Sequence, residues 1–366
     1  MTKVIIYCDG VFDLFHMGHR KHFKYLKSLH KESTLVVGIV GDIDATGYKR
    51  KPIFTENLRY NLIKNTGYVD KIIMPCPMST TKEFINKNGI THIYHAFADE
   101  NDIENQKEYF KIPIEMGIFR QIPYNTGIST TQIIDSIKKC KPNWDIENLS
   151  VTQIEHGLTN TNFRVLYKGE SIFLRLYTDI TPKEDIKILS VLNEHGFGDK
   201  ILSTFEGGRI EDWIEGRVMQ REDLTIENIK KMAQIMKKFH NLGICHNDLN
   251  LTNILVKTSG EIIIIDWEYC MKSYDIFYDI ANFFLEWMYD YTANDWYKPR
   301  KELFPSRQEM DIFCQEYGVN CEDILSKIPE VNNFWINWVK ETNLEEYKLF
   351  IKYRLEINEN KNFIYF

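Results

Sequence analysis

The chain carries no C-x-x-C pair, and its seven cysteines are scattered and odd in number. That excludes a closed disulfide framework and speaks against a zinc site, leaving free thiols in a reducing compartment as the simplest reading. Long hydrophobic runs are missing too: aliphatic stretches such as Ile262 to Ile265 fall far short of a bilayer span. No apolar h-region follows Met1, so a cytoplasmic chain is expected and not a secreted one. Nor is positive charge in excess. With 45 Lys and Arg against 52 Asp and Glu, the net charge is −7. This argues against a nucleic-acid platform, but not against phosphorylated small molecules held by a few local cations. Internal repeats and low-complexity tracts are absent, and with no long amphipathic tail in this sequence no membrane anchor is expected.

What is present is the composition of a globular chain: 366 residues, 43% hydrophobic, 27% charged and, unusually, 13% aromatic. At about 100–200 residues per domain, two domains are expected. The first forty residues predict β–turn–α–β, with strands at Lys3–Cys8 and Thr34–Val40 around an amphipathic helix from about Gly18 to His30. The alternation continues with a strand at Lys71–Met74, a helix over 81–88, a strand at Thr91–Ala96 and a helix over Ser129–Lys139. Such units predict a parallel sheet with right-handed crossovers. Lys141-Pro142-Asn143-Trp144 breaks the pattern, which places a linker at 141–150 between domains at 1–140 and 151–366. After it, 151–177 reads as a hairpin-like segment with turn signals at Gly157 and Lys168-Gly169, followed by a long helical, aromatic-rich region.

Two strings carry chemistry. The first, Tyr7-Cys8-Asp9-Gly10-Val11-Phe12-Asp13-Leu14-Phe15-His16-Met17-Gly18-His19, spans the end of the first strand and the start of the first helix. That is where a doubly wound sheet binds ligands. Gly18 lets a phosphate approach the backbone, and the helix N-terminus offers free N–H groups. His16 and His19, three residues apart, can donate hydrogen bonds to nucleotide phosphates as charge builds in the transition state. No protein nucleophile is required if a substrate phosphate attacks the α-phosphorus and pyrophosphate leaves.

This string resembles the cytidylyltransferases that make CDP-choline, CDP-ethanolamine or CDP-glycerol. So do the basic run 49–51 before Phe54-Thr55-Glu56-Asn57-Leu58-Arg59-Tyr60, the segment Tyr68-Val69-Asp70-Lys71-Ile72, and Gly127-Ile128-Ser129-Thr130-Thr131. The resemblance implies a Rossmann-like nucleotidyltransferase sheet with His16 and His19 catalytic. It implies CTP contacts from Gly10, Phe12, Gly18, Lys49, Gly127, Ser129 and Thr130. Tyr124, Asn125 and Thr126 stand where that family has Arg, Thr and Glu, and the family's acidic run after the late strand reads His95-Ala96-Phe97 here. Tyrosine does not replace the arginine's charge, and Arg120 is the candidate substitute.

The second string is His246-Asn247-Asp248-Leu249-Asn250-Leu251-Thr252-Asn253, with Asp266 thirteen residues further on. Its logic is phosphoryl transfer from ATP. Asp248 orients or deprotonates an acceptor hydroxyl, and Asn253 and Asp266 offer hard oxygens to Mg²⁺. Gly157 to Phe163 sits in a turn whose N–H groups suit phosphates, and Arg175 places a cation on the next strand, with Glu184 or Asp185 as its expected partner. With Gly208-Arg209-Ile210-Glu211-Asp212-Trp213 and Tyr278-Asp279-Ile280-Ala281-Asn282, and on through Glu286-Trp287, this half resembles the choline/ethanolamine kinases, an α+β protein-kinase-like fold. That resemblance implies ATP contacts from Gly157, Asn160, Asn162 and Arg175.

Twelve aromatic residues lie between Trp267 and Tyr297. Most are expected in a helical core. The others suit an aromatic cage, because a quaternary ammonium has no N–H and is held by ring faces beside a carboxylate. The kinase resemblance places that cage at Tyr269, Tyr291, Trp335, Trp338 and Tyr347, with Glu286 as its anion and Asn250 near the substrate hydroxyl.

The combined expectation is a bifunctional transferase. Its C-terminal domain phosphorylates choline with ATP, and its N-terminal domain converts phosphocholine and CTP to CDP-choline, with Mg²⁺, small-molecule partners only, and a homodimer, as both families often form. Three alternatives stand: the ethanolamine branch, an active choline kinase with a degenerate nucleotide-binding module, and an aminoglycoside phosphotransferase. The last shares the catalytic loop but not the aromatic tail.

Overall fold

The computed structural model describes residues 4–48, 50–124, 127–154, 159–181, 186–273, 275–291, 293–342 and 347–359. By packing, the chain divides into two units: residues 1–181 with 201–212, and residues 182–200 with 213–366.

The first unit holds two sheets. Strands β1 (Ile5–Gly10), β2 (Thr34–Ile39), β3 (Lys71–Ile73), β4 (His92–His95) and β5 (Phe119–Gln121) form a parallel sheet in the order β3-β2-β1-β4-β5. The strand order reverses between β1 and β4, which opens a crevice at their carboxyl ends. Helix α1 (Met17–Leu29) follows β1, α2 (Glu56–Lys64) follows the basic run, and α3 (Thr130–Cys140) closes the sheet. The expected strands are present, shifted by a residue or two, while β5 was not anticipated.

The second sheet is antiparallel, in the order β6-β7-β8-β10-β9, from β6 (Ser150–Ile154), β7 (Asn160–Tyr167), β8 (Glu170–Tyr177), β9 (Ile201–Phe205) and β10 (Gly208–Asp212). Lys168 and Gly169, at φ +48 and +90, make the tight turn between β7 and β8. The turn expected at Gly157 lies outside the described residues. A helix at Ile186–Glu194 opens the region expected to be helical, and β9 and β10, which the sequence did not suggest, follow it. Phe163, Val165, Ile172, Leu174, Leu176 and Ile210 of this sheet share one buried core with Phe54 and Ile63, at and in α2, and Ile128 and Ile133, at and in α3.

In the second unit α4 (Ile226–His240) buries Ile229, Met232, Ala233, Met236 and Phe239 at helical spacing and is capped by Thr225. α5 (Ile276–Glu286), apolar nearly all round, is buried from Asp279 to Glu286. α6 (Arg307–Tyr317), α7 (Ile328–Thr342) and α8 (Lys348–Glu359) complete the helical part. Between α4 and α5 a short hairpin pairs Ile254–Val256 with Ile262–Ile264. Among the described residues no helix is long and apolar enough to cross a membrane.

Candidate active sites

At the carboxyl ends of β1 and β4 lies a cavity of about 270 Å³ whose walls include Asp9, Phe12, Arg50, His95, Tyr124 and Thr130. The turn from β1 into α1 borders it. His16 is the N-cap of α1: its Nδ1 accepts from Gly18 N at 3.1 Å, and His19 Nδ1 accepts from His16 N at 3.3 Å. The two rings stack at 3.9 Å. With both Nδ1 atoms accepting, each neutral imidazole carries its proton on Nε2, the atom left to donate outward. Burial lowers His16 to about 4, and burial together with His16 and His22 keeps His19 well below the usual range. Gly18 is required here, because a Cβ would lie 2.9 Å from the His16 ring and 3.0 Å from Ile128 O.

Asp13, almost fully buried, organises the rest. It accepts from Leu14 N, Ile53 N and Phe54 N, and pairs with Arg50 at 2.7 Å, aiming that cation at the cavity. Arg59, fully buried at the start of α2, donates to Val11 O, Val40 O and Phe54 O and so fixes the loops on either side. Lys49 lies outside the described residues. Ser129 caps α3 through Gln132, and Thr130 Oγ1 donates to Asp13 O. Both hydroxyls thus have partners within the fold. Gly10 sits under the Phe12 ring, and Phe12, at φ +53, packs edge-on to His19. Arg120 corrects an expectation: its guanidinium donates to Gly117 O and Phe119 O and is not among the cavity walls. Tyr124, in the missing arginine's place, is.

On the antiparallel sheet Arg175 is buried and lies 3.4 Å from Glu211 on β10. Glu184, Asp185 and Gly157 lie outside the described residues. Asn160 and Asn162 are buried on β7, and Asn160 Oδ1 accepts from Thr181.

In the second unit the loop that carries Asp248 hangs from Asp279 of α5. Its carboxylate accepts from His246 N and Asn247 N, both at 2.8 Å, and from His240, whose other ring nitrogen meets Tyr317 OH at 2.7 Å. His240, Cys245 and Asp279 are the one cluster of three His, Cys, Asp or Glu side chains among the described residues with ligand atoms within 4.8 Å of one another. Asp279's hydrogen bonds make it an anchor for the loop. Asn253 Nδ2 donates to Asp248 Oδ2 at 3.2 Å and Asn250 Nδ2 to Oδ1 at 3.3 Å. The hairpin register Ile254↔Ile264 returns the chain so that Ile265 N bonds Asn253 O, just before Asp266 at φ +63. Burial, then the charges of Glu286, Asp266 and Glu268, push Asp248 well above the usual carboxylate range. A site that crowds carboxylates in this way and adds an amide oxygen suits a hard divalent cation.

The five cage aromatics stand in one connected wall. Tyr269 meets Trp335 at 5.5 Å, Trp335 meets Trp338 at 6.0 Å, and Trp338 meets Tyr347 at 6.1 Å. Trp296, which the sequence did not single out, links Tyr347 at 4.5 Å to Tyr291 at 6.2 Å. Trp267, Phe283, Phe284 and Trp287 are core, as expected of most. Glu286 is already engaged: Oε1 meets Arg354 at 2.5 Å and Oε2 accepts from Tyr291 OH at 2.6 Å. Arg354 is fully buried, stacked on Tyr289 and Phe350. Removing the Trp338 face should raise the KM for a quaternary ammonium substrate about tenfold while the KM for ATP stays within about twofold. Steady-state kinetics of Trp338→Ala measure both, and equal rises would assign Trp338 to the core.

Comparison with known proteins matches each half separately. The sequence profile of the choline/ethanolamine kinase family matches residues 151–244 and 241–354, more than half of the chain. The cytidylyltransferase-like profile matches residues 7–136. Choline-phosphate cytidylyltransferase 2 of Arabidopsis thaliana is 32% identical over 40% of this chain and 48% of its own length. A probable ethanolamine-phosphate cytidylyltransferase of Encephalitozoon cuniculi is 30% identical over 35% and 39%. Probable choline kinase 3 of Arabidopsis thaliana is 24% identical over 55% of this chain and 79% of its own length. The chain thus spans about half or less of these cytidylyltransferases.

Proposed function

The chain belongs to the choline/ethanolamine kinase family with a cytidylyltransferase-like region ahead of it, and from that premise we propose that it makes CDP-choline in two steps. Residues 151–366 transfer the γ-phosphoryl of ATP to choline. Residues 1–140 join the resulting phosphocholine to CTP and release pyrophosphate, with 141–150 as the connection. The observation that carries the choline reading is the aromatic wall around an occupied carboxylate. Both Glu286 oxygens already have partners. A primary ammonium therefore gains little from Glu286, whereas a trimethylammonium needs only ring faces.

In the first step Asp248 aligns the alcohol and takes its proton, with Asn250 and Asn253 holding the carboxylate in place. Asn253 and Asp266 would hold magnesium, which supplies positive charge to the transferring phosphoryl group. In the second step His16 and His19 donate from Nε2 to the phosphates, joined by Arg50 and the first turn of α3, and charge stabilisation replaces a nucleophile. A cytoplasmic setting suits seven free thiols and soluble phosphorylated substrates. A homodimer belongs to the same reading, and gel filtration measures it.

Incubation with choline, ATP, CTP and magnesium, followed by mass spectrometry, tests the whole. Phosphocholine and then CDP-choline are expected. Phosphocholine alone would reduce the N-terminal half to a binding module, and faster turnover of ethanolamine would move the chain to the other branch. A separate check concerns His16. Its imidazole should stay neutral from pH 8 to 5 and protonate only as pH falls through about 4. Unfolded, it would take a proton near 6.5, so its contribution to stability is full above that value and is lost as pH falls towards 4. Histidine NMR measures this directly, and a midpoint near 6.5 would put the ring in solvent.

A further inference from the structure

The antiparallel sheet reaches the nucleotide turn of the first unit. β9 packs along α3, the helix that starts at Ser129–Thr130, and Ser203 of β9 hydrogen-bonds Cys140 at its far end. The β9–β10 turn, Glu206–Gly207, is pinned by Tyr177 N donating to Gly207 O at 2.9 Å. Its tip lies on two segments that border the cavity. A Cβ on Gly127 would fall 2.5 Å from Glu206 Oε1, so the carboxylate lies directly over that backbone. A Cβ on Gly207, at φ +85, would meet Ile128 Cδ1 at 3.3 Å and Met17 Cβ at 3.5 Å. Ile128 is therefore clamped between Gly207 on one side and Gly18, against its carbonyl, on the other. The first turn of α1 is held in the same way: Lys21 Nζ lies 3.8 Å from Glu206, and Arg20 pairs with Asp179 just after β8 at 3.0 Å.

We propose that Glu206 is a positioning residue of the cytidylyl site, setting the Gly127–Ser129 loop against the His16–His19 turn, so that the antiparallel sheet is a working part of nucleotide binding. The proposal rests on the cytidylyl reading above. It concerns an element outside the 7–136 match to the cytidylyltransferase-like profile. A sheet whose own chemistry is read as ATP binding thereby braces the CTP loop.

The Glu206 side chain is 60% exposed, so its replacement leaves the fold intact. Glu206→Ala is expected to raise the KM for CTP roughly three- to tenfold with kcat within about twofold, the signature of lost ground-state positioning. Glu206→Gln keeps an oxygen over Gly127 and gives up only an exposed pairing, so it should stay within about twofold of the parent. Gly207→Ala, strained at φ +85 and tight against Ile128 Cδ1 at 3.3 Å, should raise the same KM. Amide hydrogen exchange gives a readout independent of turnover: Glu206→Ala should speed exchange over residues 127–131 and leave β1 and β2 unchanged. An unchanged CTP KM with unchanged exchange overturns the proposal, as do equal losses in the Ala and Gln variants. If the parent chain turns over no CTP, the underlying reading fails, and the exchange comparison still decides whether Glu206 holds the loop.

Discussion

Asp248→Asn is expected to lower ATP-dependent phosphorylation of choline by about 10²–10⁴-fold, the usual contribution of a general base, and to leave cytidylyl transfer unchanged. The loop does not depend on Asp248 for its shape. It hangs from Asp279 through His246 N and Asn247 N, and from His246 Nε2 bonded to Ile265 O. An amide at position 248 therefore meets an unaltered backbone; it loses the capacity to take a proton and one of the two oxygens that accept from Asn250 and Asn253. The ionised Asp248 is itself costly, since burial and the charges of Glu286, Asp266 and Glu268 all oppose it. Removing that charge should leave the melting temperature unchanged or raise it, as often happens when a strained functional group is replaced. A collapse of turnover with a steady or higher Tm marks a chemical role. A fall in Tm alongside the rate would mark a structural one, and loss of both activities together would overturn the two-site reading. Asp279→Ala provides the contrast: it strips three donors of their acceptor, and the fold and the kinase rate should fail together.

Much of this was legible in the sequence because each chemical string is local. His16, Gly18 and His19 lie within one turn of α1. Asp248, Asn250 and Asn253 lie within one loop, and the hairpin that returns Asp266 is short. Spacing alone carries such sites. The aromatic wall was legible only through resemblance, since its members come from α7, the start of α8 and the segments flanking α5. What stayed hidden are partnerships across long stretches of chain. His240 meets Tyr317 and Asp279, and Arg354 meets Glu286, in buried polar contacts that no periodicity announces. β9 and β10 escaped notice for a related reason. Arg209 and Glu211 on β10 are buried and pair with each other, and Glu211 also with Arg175, so an interior strand reads as polar surface. Arg50, beside the cavity, is not distinguished within the basic run by the sequence, because only its pairing with the Asp13 carboxylate shows that it turns inward.

His19→Ala should do the reverse of Asp248→Asn, reducing cytidylyl transfer by about 10²–10³-fold, the usual loss when one transition-state donor is removed, while choline phosphorylation continues. His16 is the less clean target. It is buried, it caps α1, and its ring packs against Gly18, so its removal costs folding as well as chemistry. His19 makes one internal bond through Nδ1, to His16 N, and has Nε2–H left to donate. Because burial and the neighbouring imidazoles keep it neutral, it serves as a hydrogen-bond donor and not as a fixed cation. Its effect should therefore be largest where phosphate charge develops, in kcat, and small in the KM for CTP. His19→Gln, which can place an amide N–H near the lost Nε2–H, should recover part of the rate, whereas a lysine at that position should not restore it despite its charge. A rise in the CTP KM with kcat preserved would instead make His19 a ground-state contact, leaving the transition-state charge to Arg50, His16 and the first turn of α3.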